Sequence, residues 1–180
     1  MDTKAKRRIR DTPTRQKSGE EQIVVFKLGG EDYGIEISQV REIIRKREIT
    51  PVPRQPVYVE GVINVRGTII PVVNLKKRFG LPGDPSKQPH TIIVESGDGL
   101  VGILVDSVSE VIRVPQDRIH PPPAVSTSVD SECLRGICRV SDRLLIYLDV
   151  EKVVRTINAN NVRGEAAQAA TLQESIMATA

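Results

Sequence analysis

Tryptophan is absent from this chain of 180 residues, and only three tyrosines and two phenylalanines supply aromatic rings. A core built from it must be aliphatic, and a stacking platform for nucleic-acid bases would have to be assembled from five rings: Phe26, Tyr33, Tyr58, Phe79 and Tyr147. Phe26, Tyr33 and Tyr147 sit within apolar runs, where burial is the default. Cysteine is scarce too. Cys133 and Cys138 are too few for a disulfide framework and lack metal-ligand spacing. Cys138 reads as a small buried hydrophobe in a strand and Cys133 as a possible exposed thiol. The two histidines, His90 and His120, are read as solvated loop residues. The chain has no phosphate-binding glycine loop, nucleophile elbow or zinc signature, so neither catalysis nor a cofactor is expected. Nor is there a secretory h-region or an apolar run long enough to span a bilayer. A cytoplasmic location with reduced thiols is the expectation.

What is abundant is β-branched: Val and Ile total 42 residues against 10 Leu, which favours strands. Charge is uneven. Residues 1–17 hold seven Lys or Arg and two Asp, giving +5, and the remaining 19 basic and 21 acidic residues give −2. The basic end reads as a solvated, disordered leader covering 1–21, with weak contact to nucleic acid or anionic lipid as the alternative.

Gly61 to Asn74, GVINVRGTIIPVVN, organises the rest. Two β-branched runs flank Arg66-Gly67, a pattern that predicts a hairpin, since glycine takes the positive φ of a tight reversal. Neither run alternates apolar with polar, so both faces should be covered, leaving the Arg66 tip accessible. Strands are expected at 22–28 and 33–37. Ser38 is read as the N-cap of a helical turn over 38–42, and an extended segment follows over 42–47. Asn74 should cap a short helix over 75–79 ending at Gly80, and 80–90 reads as a linker. Residues 156–180 are expected to be weakly helical at best, with a break at 158–161.

The pattern then repeats. A shift of 68 lays 24–45 on 92–113 without a gap, matching Gly29 to Gly97, Gly34 to Gly102, Val40 to Val108 and Glu42 to Glu110. A shift of 75 matches Gly61 to Gly136, Val65 to Val140, Asn74 to Asp149 and Lys77 to Lys152. The chain is therefore two units, about 22–80 and 91–155, each predicting five short strands. A lone barrel of this size buries little core, so two should pack together, with a groove where they meet. At the tip the units differ, with Ser141-Asp142 in place of Arg66-Gly67.

Glu42 and Arg66 each interrupt an apolar pattern. They read equally well as a surface ion pair and as the rim of a partner-binding groove.

Four stretches, FKLGGEDYGIEISQVREII at 26–44, GVINVRGTIIPVVNL at 61–75, VGILVDSVSEVI at 101–112 and LRGICRVSDRLLIYLDVEKVV at 134–154, together resemble the CheW family of chemotaxis coupling proteins. That resemblance implies an all-β fold of two intertwined five-stranded SH3-like barrels with short helices, no catalysis and no cofactor. It implies a scaffold linking the cytoplasmic hairpin of methyl-accepting chemoreceptors to the regulatory domain of the histidine kinase CheA. Such a protein would be cytoplasmic, recruited to membrane receptor arrays, with no nucleic acid bound and no direct membrane insertion. With neither receiver nor kinase sequence in the chain, the free-standing coupling protein is the match. By position, the resemblance assigns partner binding to Val40, Glu42, Gly61, Asn64, Arg66 and Gly67, with Val105 and Val108 as second-lobe equivalents. The competing readings are a coupling protein of the same fold in a non-chemotaxis pathway and, from another class, an RNA-binding tandem β-barrel.

Overall fold

A computed structural model describes residues 19–45, 47–83, 89–124, 131–155 and 159–178. In chain order the strands are β1 (Glu20–Leu28), β2 (Glu31–Glu36), β3 (Val40–Arg45), β4 (Val59–Val65) and β5 (Thr68–Asn74), then β6 (His90–Ser96), β7 (Gly99–Val105), β8 (Ser107–Pro115), β9 (Leu134–Val140) and β10 (Arg143–Leu148). Short helices α1 (Leu75–Arg78) and α2 (Val150–Val154) end the two units, and a longer α3 (Ala159–Ala178) follows. The fold is mainly β, as the β-branched composition predicts.

The strands form two five-stranded sheets, ordered β8-β1-β2-β10-β9 and β3-β6-β7-β5-β4. Each sheet thus takes two strands from one sequence unit and three from the other. The units at 22–80 and 91–155 are repeats of sequence, and the barrels are built by exchange between them. Each sheet curls until it closes on itself. Thr50, beyond β3, exchanges two 2.9 Å backbone hydrogen bonds with Val62, and His120, beyond β8, does the same with Ile137 at 2.9 and 2.8 Å. Both closures need a glycine beside them. A Cβ on Gly61 would lie 2.1 Å from the Thr50 carbonyl oxygen, and one on Gly136 would lie 2.8 Å from that of His120.

Three apolar clusters result. Ile23, Val25, Cys138, Leu145 and Tyr147 fill the first barrel. Ile63, Val65, Ile70, Val72 and Ile93 fill the second. Between them lies a larger shared core, which includes Val24, Phe26, Tyr33, Val62, Val73, Phe79 and Ile103. Successive strand residues point to opposite faces, so alternating residues of one strand feed a barrel interior and the shared core. The hairpin β4–β5 is apolar on both faces for this reason. Val59, Val62 and Val73 enter the shared core, and Ile63, Val65, Ile70 and Val72 enter the second barrel. Tyr33 stacks between Phe26 and Phe79 with centroids 6.1 and 6.2 Å away, and with Tyr147 in the first barrel four of the five rings are buried.

Several local expectations are corrected. The first strand starts at Glu20, because Glu20 and Glu21 extend the pairing with Pro115 and Val114; residues 1–18 of the expected leader lie outside the described residues. Ile37–Gln39 form a single 3-10 turn, and the Ser38 hydroxyl donates to Glu36 Oε1 at 2.7 Å instead of capping a helix. Asn74 does cap α1, accepting from the Lys77 amide, and Asp149 caps α2 in the same way from Lys152. Cys133 is buried, not an exposed thiol. His90 begins β6 rather than sitting in the linker, of which 84–88 lie outside the described residues. The chain beyond α2 is a helix of 20 residues that starts inside the expected break.

Candidate functional site

The two-residue tip of β4–β5 takes the left-handed conformation at both positions, with φ 49° at Arg66 and 85° at Gly67. This is the reversal that matches strand twist. Asn64 locks it, its side-chain oxygen accepting from the Gly67 amide at 2.9 Å. The tip aims the Arg66 guanidinium back across the barrel mouth at β3. Its Nη1 donates to Glu42 Oε1 at 3.2 Å, and its Nη2 to Glu42 Oε2, a two-pronged contact between planar groups. The hydrogen bond from Arg66 holds the Glu42 carboxyl below the usual carboxylate range, and Glu42 in turn raises the Arg66 guanidinium.

Beneath the pair opens a groove lined by Arg41, Glu42, Val65, Arg66, Thr68, Ile70, Ile93, Glu95 and Leu100. A second rim ion pair, Arg41 with Glu95, spans it. Every lining residue lies on a strand of the second sheet or, for Arg66, on its β4–β5 turn. The groove is therefore the mouth of one barrel, and the expectation of a groove at the junction between barrels is not where Glu42 and Arg66 lie. Its floor is aliphatic (Val65, Ile70, Ile93) and its rim is charged.

The eight residues singled out from sequence do not form one surface. Glu42, Asn64, Arg66 and Gly67 cluster at the tip. Val40 lies on the same strand as Glu42 and leans, half-buried, on the shared core. Gly61 is buried at the barrel closure. Val105 is only 2% exposed and belongs to the shared core. Val108 is half-buried on the other barrel, opposite Phe26 in β1.

The other barrel mouth carries a counterpart that reading the tip alone misses. Glu110 occupies the position of Glu42, and it pairs with Arg143 at 3.1 Å. Under the shift of 75, Arg143 corresponds to Thr68, two residues past Arg66. Thr68 lines the groove beside Arg66, so the counterpart arginine comes from the strand just past the turn and not from its tip. There the pair is tied inward. Arg143 also reaches Asp32 at 3.3 Å, and Lys27 holds Asp32 at 2.8 Å, with Asp32 only 7% exposed. The first barrel's mouth is knitted by four charges around the buried Asp32, whereas at the second mouth the four charges form two separate ion pairs on the rim.

The model of the CheW-like domain family matches residues 22–158, most of the chain.

The chain belongs to the CheW-like domain family.

Among similar CheW proteins, the chemotaxis protein CheW of Treponema pallidum is 39% identical over 138 residues, covering 73% of this chain and 81% of that one. The chemotaxis protein CheW of Thermotoga maritima is 36% identical over 136 residues, covering 76% and 89%. Among solved structures, the scaffolding protein TtCheW from Thermoanaerobacter tengcongensis is similar with a TM-score of 0.70 and 39% identity, covering 77% of this chain and 90% of that one. Matched residues 22–158 end just before α3, so that helix lies outside the family's match. Among the described residues, no helix is long and apolar enough to cross a membrane.

Proposed function

We propose that this chain is a chemotaxis coupling protein, a non-catalytic scaffold that joins chemoreceptor tips to the regulatory domain of the kinase CheA and supports receptor control of autophosphorylation. It would work in the cytoplasm, recruited to membrane receptor arrays through the receptors. The observation that carries this reading is the open barrel mouth rimmed by Glu42 and Arg66. A greasy floor under a charged rim suits an amphipathic helix laid across it, apolar face down. Arg66 contributes a planar group with several donors at the edge. Val40, Asn64 and Gly67 shape the same edge, whereas Gly61 and Val105 act from inside by fixing the backbone and core beneath it. Val108 is the corresponding position on the second lobe. An RNA-binding role is disfavoured because Phe26, Tyr33 and Tyr147 are fully buried and offer no stacking surface.

The test is capture by a chemoreceptor cytoplasmic fragment and by the kinase regulatory domain. No binding to either at tens of micromolar ends the proposal. Arg66→Glu should abolish receptor capture while the melting temperature moves by a few degrees at most, since an exposed pair contributes little to stability. The reversed pair, Glu42→Arg with Arg66→Glu, separates the two meanings of this contact. If the ion pair merely shapes the tip, the double variant recovers binding. If the partner reads the arginine itself, binding stays lost, which is the expected result.

A further inference from the structure

We infer that Arg163 is a positioning residue for the groove at Glu42 and Arg66, its guanidinium standing in for the backbone N–H that Pro71 lacks. The parallel strands β5 and β7 pair only over Val72–Asn74 with Gly102–Leu104. One rung earlier the register would set Pro71 beside Val101. The tight turn makes Val65 and Thr68 the closing hydrogen-bonded pair of the hairpin, so bonded and non-bonded pairs alternate from there. Ile69 and Pro71 fall at non-bonded positions, and their backbone groups face β7 rather than β4. A residue with an N–H at 71 would reach the carbonyl of Leu100 in a parallel ladder. Proline has no N–H to offer, and the ladder stops.

Arg163 fills this opening. Its Nη2 donates to the Leu100 carbonyl at 2.6 Å, its Nε to Ile69 at 3.2 Å and its Nη1 to Asp98 at 3.3 Å. One planar group thus serves carbonyls on both splayed strands. The helix is seated for the task. Val162, beside it, is 1% exposed in the shared core, and Glu165 accepts a 2.7 Å hydrogen bond from Gln55. The other barrel is the internal control. Ile146 stands where the repeat places Pro71, and the ladder there runs over Leu145–Asp32, Ile146–Tyr33 and Tyr147–Gly34. In the second barrel these rungs correspond to 70–100, 71–101 and 72–102, of which only the last is made. With an N–H at 146, that barrel zips further and needs no inserted arginine.

The consequence for binding rests on the function proposed above. Leu100, Thr68 and Ile70 line the groove, and Arg163 grips the chain at Leu100 and between the other two. The experiment uses the full chain as Arg163→Ala, Arg163→Lys, Pro71→Ile and the double variant Pro71→Ile with Arg163→Ala. Two readouts are taken: affinity for the receptor cytoplasmic fragment, and amide exchange at 72–74 and 102–104. Arg163→Ala should weaken binding about tenfold and speed exchange at those rungs by a similar factor, because a carbonyl is left unpaired. Arg163→Lys, a point donor without a fork, should recover little. Restoring the amide through Pro71→Ile should return the double variant to within about twofold of the parent in both readouts. Unchanged exchange in Arg163→Ala overturns the inference, as does a double variant no better than Arg163→Ala. If the parent binds no receptor fragment, the proposed function fails, and the exchange readout still decides the role of Arg163.

Discussion

Gly61 and Gly136 do at the residue scale what the barrels require at the largest one. Each lets a passing chain come close enough to close a sheet. Gly61 has φ 141°, and its missing side chain leaves room for the Thr50 peptide. Gly61→Ala should therefore cost about 3 kcal/mol or more in urea unfolding, through strain and collision together. Gly67→Ala, at φ 85° with open space around it, should cost about 1 kcal/mol from conformation alone. A loss of partner binding in Gly61→Ala should then follow its loss of stability, while Gly67→Ala should affect binding beyond any effect on stability. Glu60 gives a pH prediction. Burial pushes its carboxyl up, but the hydrogen bonds from Lys77 and from Asn74, at 2.7 and 2.9 Å, outweigh this and leave it lowered. Glu36 is lowered in the same direction by hydrogen bonds from Ser38 and Arg135. In the unfolded chain such groups take up protons first as pH falls. Their stabilisation is present at neutral pH and disappears as pH drops through the ordinary carboxylate range to the lowered folded values. Glu60→Gln should flatten the fall of unfolding free energy over that acid window and leave its slope near neutrality unchanged.

Among the elements, α3 departs furthest from what the sequence conveys. The strands and the hairpin were legible because β-branched runs broken by turn residues leave few alternatives. The helix cap at Asn74 was legible because a side-chain acceptor at that place has one common use, and the repeat matches Asp149, which caps α2, to it. The Glu42–Arg66 contact was legible as an anomaly, two charges in apolar surroundings, although its meaning stayed divided. By contrast, α3 is alanine-rich, and its seat depends on Val162 and Arg163, whose targets are distant strands. No local pattern carries that information. Its two halves should behave differently. Removing 167–180 deletes a stretch with Leu172 and Ile176 exposed and should change the melting temperature little. Removing 159–180 also withdraws Val162 from the shared core and should lower it by several degrees. Thermal unfolding of the two truncations checks this.

For the whole molecule, the repeat was readable and the exchange was not. Periodicity says which face of a strand is apolar, but it cannot say whether its neighbour comes from the same repeat or the other. The pairing of β1 with β8 joins residues about half the chain apart, and this long-range closure should make folding slow for a domain of this size. A chain cut within 84–88 should yield halves that are unfolded alone and recover a native-like β spectrum on mixing. A folded isolated half would contradict the exchange.

That exchange bears on how such a molecule assembles itself. A polypeptide with one repeat would have two strands seeking three and three seeking two, and only a twin could satisfy both needs. Joined through 80–90, the two repeats meet at a fixed effective concentration of roughly millimolar order, whatever the number of copies in the cell. An encounter between strangers becomes a step within one chain, and the finished scaffold is insensitive to its own dilution.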